Sequence, residues 1–486
     1  MNQKQLGAFY TPRHTVQYML SQISRVVRFD SNAKVLEPSG GDGIFVSGLL
    51  DEYKQIQPSQ IDVRDINPDV QDQITPYGVN FSHRDSLLHN PLTDGSRTTG
   101  IYSHIIGNPP YLNKQSDYIK QNKKLLKPIY DEIGVHDTYA MFIYLCCQLL
   151  QAGGVLGFIV SDTFLTLGIH KKLRKFLLEH VCIQEITICP KKLFPGVTVS
   201  TCIIIIENKK PDPTSTFIIN DCRQCEIGNY DGIITTFNQQ QTQNNPDYVF
   251  NFNGNTELIQ YLNHDDKLID YVDGGLGMHT KDNNKYLAIV DYDGKQYAKR
   301  QSIDLRVKAQ DVDGKQWKFY HKQGGDYSYF LPAEYAVKWD DESVNQYVIP
   351  SKTRIDNKQQ GFIISGVCSR LSARLSTIGA MWESNKAMCF FPKNPEQYPC
   401  EYFLGLLNSS VYAKFIKFLN HTNSVQIRDI YKLPMLHVKP TDKDTIIDTV
   451  RHIIKQQKKN INYDFSAEQQ KIDQIVNKYF SGSTNA

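Results

Sequence analysis

The sequence predicts an α/β protein: a doubly wound parallel sheet in the first half, followed by an α+β region closed by C-terminal helices. Three observations carry this expectation. Short β-branched runs alternate with helical periodicity over the first two hundred or so residues, the pattern of a parallel sheet whose crossovers are helices. The pattern changes beyond about residue 250, where the chain is rich in Tyr, Asp and Lys, with turn signals at Asp293-Gly294, Asp313-Gly314 and Gly324-Gly325. Helical spacing returns at Glu401 to Leu419 and again over about 443–457 and 467–480.

The expected strands of the first half are Val35-Leu36, Ile61 to Ile66, Ile101 to Ile106, Gly154 to Val160, Ile183 to Ile188 and Val199 to Glu207. Amphipathic stretches at Thr15 to Val27, Tyr139 to Leu150 and Lys171 to His180 supply the helices between them. Residues 208–216 read as a loop, and the Gln- and Asn-dominated run from Phe237 to Pro246 reads as a linker. The division expected is a first domain over 1–245, a second over 246–440 and a helical extension over 441–486. In that extension Ile446, Ile447, Val450, Ile453 and Ile454 recur at helical spacing, the signature of a packing face.

Composition bounds the function classes. With 486 residues, 40% hydrophobic and 22% charged, the chain is of ordinary globular make-up. No apolar run reaches membrane-spanning length, and the first residues lack the apolar core of a signal peptide. A location without export, in the cytoplasm, is therefore expected, with no membrane partner. A net charge of +3 is compatible with a basic cleft on a nearly neutral protein. Ten cysteines without regular spacing suggest reduced thiols. Cys222 and Cys225 form a single Cys-x-x-Cys, and no second pair lies at zinc-ligand spacing, so no metal is assigned.

The sharpest chemical signal is Asn108-Pro109-Pro110-Tyr111, directly after the apolar run Tyr102 to Gly107. Ligands of open α/β sheets bind beyond the carboxyl ends of the strands, where this tetrapeptide falls. The amino group of adenine is a poor nucleophile because its lone pair is delocalised into the ring. Two acceptors aimed at its protons, the Asn108 side-chain oxygen and the Pro109 carbonyl, would localise that lone pair, with the prolines fixing the backbone. Tyr111 could stack on the base. A plain proline turn closing a strand is the bland alternative.

A second element is Val35 to Phe45, a strand running through Glu37-Pro38-Ser39-Gly40-Gly41-Asp42-Gly43 into a helix, where glycines admit close approach of a nucleotide-like ligand. The next strand ends in Asp65-Ile66, an acid placed for ribose hydroxyls. Asp85-Ser86 follows the third β segment and offers an acceptor for an adenine amino group. Singly each is weak; the ordered set is what points to a nucleoside cofactor.

With these residues in hand, the chain resembles the gamma-class, Taq-type adenine-specific DNA methyltransferases of restriction–modification systems. The resemblance covers the first domain in order and the second more faintly. It implies a Rossmann-like methyltransferase domain that binds S-adenosyl-L-methionine, followed by a target-recognition domain. Gly7 to Pro12 is similar to the family's N-terminal cofactor motif, which would set Thr11 and Pro12 at the methionine end. Glu37, Pro38, Ser39 and Gly41 match its main cofactor loop; Asp65 with Ile66 matches the ribose position, although Glu is the commoner acid there. Asp85 with Ser86 matches the contact to the cofactor adenine, Phe142 the residue packing on that adenine, and Asn108 lies beside the methyl donor. Lys192 to Ser200 is similar to the segment whose aromatic, here Phe194, stacks on a flipped target base opposite Tyr111. Without the resemblance, Phe194 reads as a core residue.

Expected partners are double-stranded DNA and, in a restriction–modification setting, a cognate endonuclease acting as a separate chain. A monomer is expected, because methylation of one strand needs no twofold axis. Basic residues interleave with aromatics over Lys299 to Lys322 and Lys352 to Arg374. From these and the family's recognition segments, Arg306, Lys352, Arg354, Arg370, Arg374 and Arg428 are the candidate DNA contacts. Rival readings are an RNA base methyltransferase, a protein glutamine methyltransferase that shares the Asn-Pro-Pro-Tyr chemistry, and a non-catalytic DNA-binding module. A fused nuclease is disfavoured because the first motif begins at residue 7 and the recognition region uses the downstream length.

Overall fold

The computed structural model describes residues 10–93, 100–194, 200–251, 258–299, 302–350, 359–384, 386–420 and 423–480. It divides into two units, Met1–Gly254 and Asn255–Ala486.

The first unit alternates strands and helices along the chain. Its strands are β1 (Val35–Glu37), β2 (Ile61–Asp65), β3 (Asn80–His83), β4 (Tyr102–Gly107), β5 (Leu150–Ser161), β6 (Cys182–Ile188), β7 (Thr201–Glu207), β8 (Thr216–Asp221) and β9 (Ile233–Asn238). Its longer helices are α1 (Arg13–Val26), α2 (Ile44–Glu52), α3 (Asp117–Tyr130), α4 (Thr138–Leu149) and α5 (Lys171–His180). The strands form one sheet in the order β3-β2-β1-β4-β5-β7-β6-β8-β9. β1 to β5 are mutually parallel, as expected.

The sheet is mixed rather than wholly parallel. β7 runs antiparallel to both β5 and β6. Antiparallel neighbours can be joined without a crossover helix, and no helix is assigned between β6 and β7 among the described residues. Periodicity within a strand carries no sign of its direction, so the sequence could not have shown this.

Both faces of the central strands are buried, and alternate side chains feed two apolar clusters. Leu36, Ile105 and Leu156 lie in one, with α4 residues such as Met141 and Ile143. Val35, Ile106 and Val155 lie in the other, with Val16, Met19, Leu20 and Ile23 of α1. The spacing of those four residues gives α1 a single apolar stripe. That stripe approaches the sheet closely: a Cβ on Gly157 would sit 2.3 Å from Cδ1 of Ile23.

The segment expected as a linker is instead part of this unit. β8 and β9 extend the sheet, and Gln239, just beyond β9, is fully buried. Its amide nitrogen donates to the carbonyls of Leu177, Leu178 and Val181 at 3.3, 3.1 and 2.6 Å, and its oxygen accepts from Ile183 N at 3.0 Å. A glutamine-rich composition is usually solvated, but here one glutamine satisfies carbonyls at the end of α5, which otherwise have no partner within the helix. Phe250 packs further on, against Phe164 and Phe217.

Among the described residues the second unit forms two sheets. One is four-stranded, β10-β18-β15-β16, formed by β10 (Val272–Gly275), β15 (Phe362–Ser365), β16 (Ala373–Leu375) and β18 (Ala387–Pro392). The other, β12-β11-β14-β13-β17, is formed by β11 (Leu287–Asp291), β12 (Arg306–Lys308), β13 (Trp317–His321), β14 (Tyr335–Lys338) and β17 (Met381–Trp382). Five helices follow: α6 (Cys400–Leu407), α7 (Ser410–Leu419), α8 (Ile427–Tyr431), α9 (Pro440–Lys459) and α10 (Ser466–Phe480). The last two are not a separate extension. Ile446 of α9 lies so close to α6 that a Cβ on Gly405 would be 2.4 Å from its Cγ2. Phe480 of α10 meets Phe415 of α7 edge-on at 5.1 Å.

Arg374 must be removed from the candidate DNA contacts. Its side chain is 0% exposed and donates to Glu334 Oε1 at 2.9 Å and to the Gln323 carbonyl at 3.1 Å. His321 Nε2 accepts from Thr377 N at 3.0 Å, which leaves Nδ1 facing Glu334 Oε2 at 3.3 Å. Burial opposes ionisation of Glu334, but Arg374 and His321 outweigh it and hold the carboxyl below its ordinary range. Arg374 therefore ties β16 to the core of its own unit. Of the other candidates, Arg306 and Arg370 are exposed and Arg428 half-exposed. Arg370 also donates to the Asn408 carbonyl at 2.8 Å. Lys352 and Arg354 lie outside the described residues.

Candidate active site

A cleft of about 720 Å³ opens at the carboxyl ends of β1 to β4. Thr11, Glu37, Pro38, Ser39, Gly41, Asp65, Ile66, Asp85, Ser86, Asn108 and Phe142 all line it. Pro12 does not; it precedes α1, and its carbonyl accepts from Thr15 N and Val16 N at 2.9 and 3.2 Å. The preceding residues Gly7 to Phe9 lie outside the described residues.

The glycine-rich turn is shaped by its neighbours. Gly40 N donates to the Arg64 carbonyl at 2.9 Å, and a Cβ there would lie 2.5 Å from Val63 Cγ1. Gly41 has φ +52° and donates its N–H to Asp65 Oδ2 at 2.9 Å. Asp65 Oδ1 accepts from Asn67 N at 2.7 Å. The acid after β2 thus anchors the loop after β1, and both border the same space.

Glu37 ends β1 and is 1% exposed, and its Oε2 has no hydrogen-bond partner among the described residues. Burial, with Asp42 and Asp65 close by, pushes its carboxyl well above the ordinary range. Burial raises Asp42 and Asp65 as well. Three crowded carboxyl groups, one with an unpartnered oxygen, favour a ligand whose positive charge and hydrogen-bond donors would restore their ionised form.

Asp85 stands on the wall formed by the loop after β3. Its Oδ1 accepts from Leu87 N and Leu88 N at 2.9 and 3.3 Å, and the Tyr118 hydroxyl donates across Oδ1 and Oδ2 at 3.1 and 2.9 Å. Ser86 Oγ donates to the Pro38 carbonyl at 2.8 Å, joining the loops after β1 and β3.

Asn108 leaves β4 at the cleft's edge. Its Nδ2 donates to Thr11 Oγ1 at 3.1 Å, and its carbonyl accepts from Ser39 Oγ at 3.4 Å. Thr138, at the start of α4, donates through Oγ1 to the Pro110 carbonyl; the same oxygen accepts from Leu112 N at 3.0 Å, and Thr138 N donates to the Leu112 carbonyl at 2.9 Å. The proline segment is thereby clamped on both sides.

The two aromatics are less open than the sequence suggests. Tyr111 is half-buried; its hydroxyl donates to the Ile159 carbonyl at 3.1 Å, and its ring meets Tyr139 edge-on at 6.1 Å. Burial pushes its phenol well above the ordinary range, so it stays protonated. Phe194 is 3% exposed within the cluster of Ile159, Cys189 and Ile203. Core packing describes Phe194 as it stands, and stacking on a base would require the segment to move.

Several cleft residues were not among the sequence expectations: Tyr10, Arg84, Gln115, Tyr118, Gln121 and Thr138. Gln115 to Gln121 form the entry and first turn of α3, begun by Ser116, whose Oγ accepts from Ile119 N at 3.4 Å. The Ser-Asp pair was a legible helix start. The Lys-rich sequence behind it and Pro128 inside the helix hid the rest. Among the described residues no group of three or more His, Cys, Asp or Glu gathers at metal-binding spacing, and no helix is long and apolar enough to cross a membrane.

This strand order, with its antiparallel β7 and an acid at the carboxyl end of each of the first three strands, defines an α/β domain with a ligand-sized cleft beyond its parallel strands. More particularly, residues 47–194 match the family described as Eco57I restriction-modification methylase, so this stretch is similar to that family. The chain is 30% identical over 203 residues to the type II methyltransferase M.HincII of Haemophilus influenzae, covering 41% of this chain and 36% of that protein. It is 26% identical over 205 residues to the modification methylase CviBIII of Paramecium bursaria Chlorella virus NC1A, covering 42% and 50%. The matches thus span about a third to a half of these relatives' length. Among solved structures, the fold is similar to the type IIL restriction-modification enzyme MmeI in complex with DNA, with a TM-score of 0.62 at 12% identity over 97% of this chain and 73% of that one. The type ISP enzyme LlaGI, in complex with a DNA substrate mimic, gives a TM-score of 0.62 at 13% identity over 92% and 47%.

Proposed function

We propose that the protein is a site-specific DNA adenine methyltransferase, the modification component of a restriction–modification system. It transfers a methyl group from S-adenosylmethionine to the exocyclic amino group of an adenine in a short duplex sequence. The observation that carries this reading is the clamped Asn108-Pro109-Pro110-Tyr111 segment, whose Asn108 borders a cleft suited to a cationic nucleoside.

When bound, S-adenosylmethionine supplies a methyl group on a positively charged sulfur. Glu37 and its carboxylate neighbours offset the ligand's positive charge, Asp65 takes the ribose hydroxyls, Asp85 the adenine amino group, and Phe142 the adenine face. Asn108 and the Pro109 carbonyl would accept hydrogen bonds from the two N–H groups of the target amino group and turn its lone pair toward the methyl; S-adenosylhomocysteine would leave as the neutral thioether and the methylated nitrogen would give up one proton to solvent. No side chain of unusual basicity is needed, because positioning does most of the work.

A base within a duplex must leave the stack to reach this cleft, at a cost of a few kcal/mol. Tyr111 recovers part of it, since stacking on an aromatic is worth about 1–3 kcal/mol per base; Phe194 adds to this if its segment swings out on binding. Sequence choice resides in the second unit, where Arg306, Arg370 and Arg428, with Lys352 and Arg354, are the remaining candidate contacts.

The test is transfer of labelled methyl from S-adenosylmethionine to unmethylated duplex DNA, followed by nucleoside analysis and methylation-sensitive sequencing. N6-methyladenine at one repeated motif is the expected result. Label confined to RNA or protein would overturn the DNA assignment, and DNA binding with no transfer would leave only a binding module.

A further inference from the structure

Asp85 is not alone on its wall of the cleft. The Tyr118 hydroxyl, from the first turn of α3, reaches both of its carboxylate oxygens and lines the same cleft. Leu87 N and Leu88 N already load Oδ1, so the hydroxyl, reaching Oδ2 as well, completes a cradle that fixes the rotation of the carboxylate on the cleft wall. A phenol whose proton is committed to a carboxylate can offer a ligand only its lone pairs. Burial and the nearby Asp85 both raise the Tyr118 phenol, so that proton stays in place at neutral pH.

We propose that Tyr118 is a purine-specificity residue: together with Asp85 it makes this wall acceptor-only, so that the cleft selects a 6-aminopurine nucleoside and rejects its 6-oxo counterpart. This rests on the reading of the cleft as the cofactor site. An amino group brings two N–H donors to such a wall, whereas a 6-oxo group brings an oxygen against oxygens. A site built to hydrogen-bond one group rejects analogues that leave its buried polar atoms unpaired. Tyr118 also sits seven residues beyond Tyr111, on the chain that leaves the Asn-Pro-Pro-Tyr segment, so reading of the cofactor purine and positioning of the target base share one short stretch.

The experiment is calorimetric titration of the full chain with S-adenosylhomocysteine and S-inosylhomocysteine, using the wild type, Tyr118→Phe, Asp85→Asn and the double variant. The wild type is expected to bind the adenosyl ligand roughly tenfold or more tightly than the inosyl one, the scale of one charge-assisted hydrogen bond. Tyr118→Phe should weaken the adenosyl ligand several-fold and leave the inosyl ligand within about twofold, so that the preference contracts. Asp85→Asn should remove most of the preference, and adding Tyr118→Phe to it should change the ratio no further. Equal weakening of both ligands, an unchanged ratio or simple additivity would each overturn the proposal. Failure of Tyr118→Phe to fold would also overturn it, by making the hydroxyl a structural fastener. A folded wild type that binds neither ligand would remove the cofactor reading itself, a result distinct from binding without discrimination.

Discussion

The carboxamide of Asn108 is held by Thr11, Nδ2 to Oγ1 at 3.1 Å, although the two residues are 97 positions apart. The amide is thereby fixed by its nitrogen, the orientation in which its oxygen can serve as an acceptor.

Replacing Asn108 by Ala should lower methyl transfer by about two orders of magnitude or more, the scale seen when one preorganised polar contact to a reacting group is lost. Binding of S-adenosylhomocysteine should change little. Thr11→Val should lower transfer less, since it loosens the amide without deleting it. Single-turnover rates and calorimetry separate the two; full activity in Asn108→Ala would sink the amino-group clamp.

Glu37 carries a pH signature. Its folded-state carboxyl is raised well above the ordinary 4.5, chiefly by burial. Between those values the folded protein holds a proton that the unfolded chain has lost, so ligand-free stability falls as pH rises through the window. Glu37→Gln should flatten that slope, raise the melting temperature near neutrality and weaken cofactor binding. Cofactor binding to the wild type should release protons, read from the buffer dependence of the binding heat. A steeper slope in the variant would contradict the assignment.

Arg374 and Arg306 should behave as opposites. Arg374→Ala strips the partner from buried Glu334, and breaking such a pair costs about 3–5 kcal/mol; urea unfolding measures it. Arg306→Ala, at an exposed position, should stay within about 0.5 kcal/mol of wild type. If Arg306 holds a phosphate, its loss should weaken DNA binding and lower the salt dependence by about one ion.

Phe194→Ala tests two roles at once. As a packed residue it should cost about 3–5 kcal/mol of stability. If the ring also swings onto the extruded base, 2-aminopurine at the target should change its fluorescence in the variant's complex. A stability loss without a fluorescence change would confine Phe194 to the core.

The cleft was largely legible because its residues follow parallel strands, and a strand's carboxyl end is visible as the close of an apolar run. Glu37, Asp65, Asp85 and Asn108 each occupy such a place. Tyr118 and Thr138 escaped because they act through hydrogen bonds to residues distant in sequence, which periodicity does not encode. Arg374 was misjudged for a related reason: charge in a β segment reads as surface until a buried partner such as Glu334 is known. The glutamine-rich stretch near Gln239 was misplaced because composition cannot distinguish a solvated amide from one that satisfies four backbone groups.

Gln239 bears on where the first unit can be cut. Because this residue satisfies the carbonyls at the end of α5 and Phe250 packs against Phe217, a chain cut before Gln239 would strip both from the first unit. A first unit ending just after Phe250 should keep its folded stability, whereas one ending before Gln239 should unfold at lower urea.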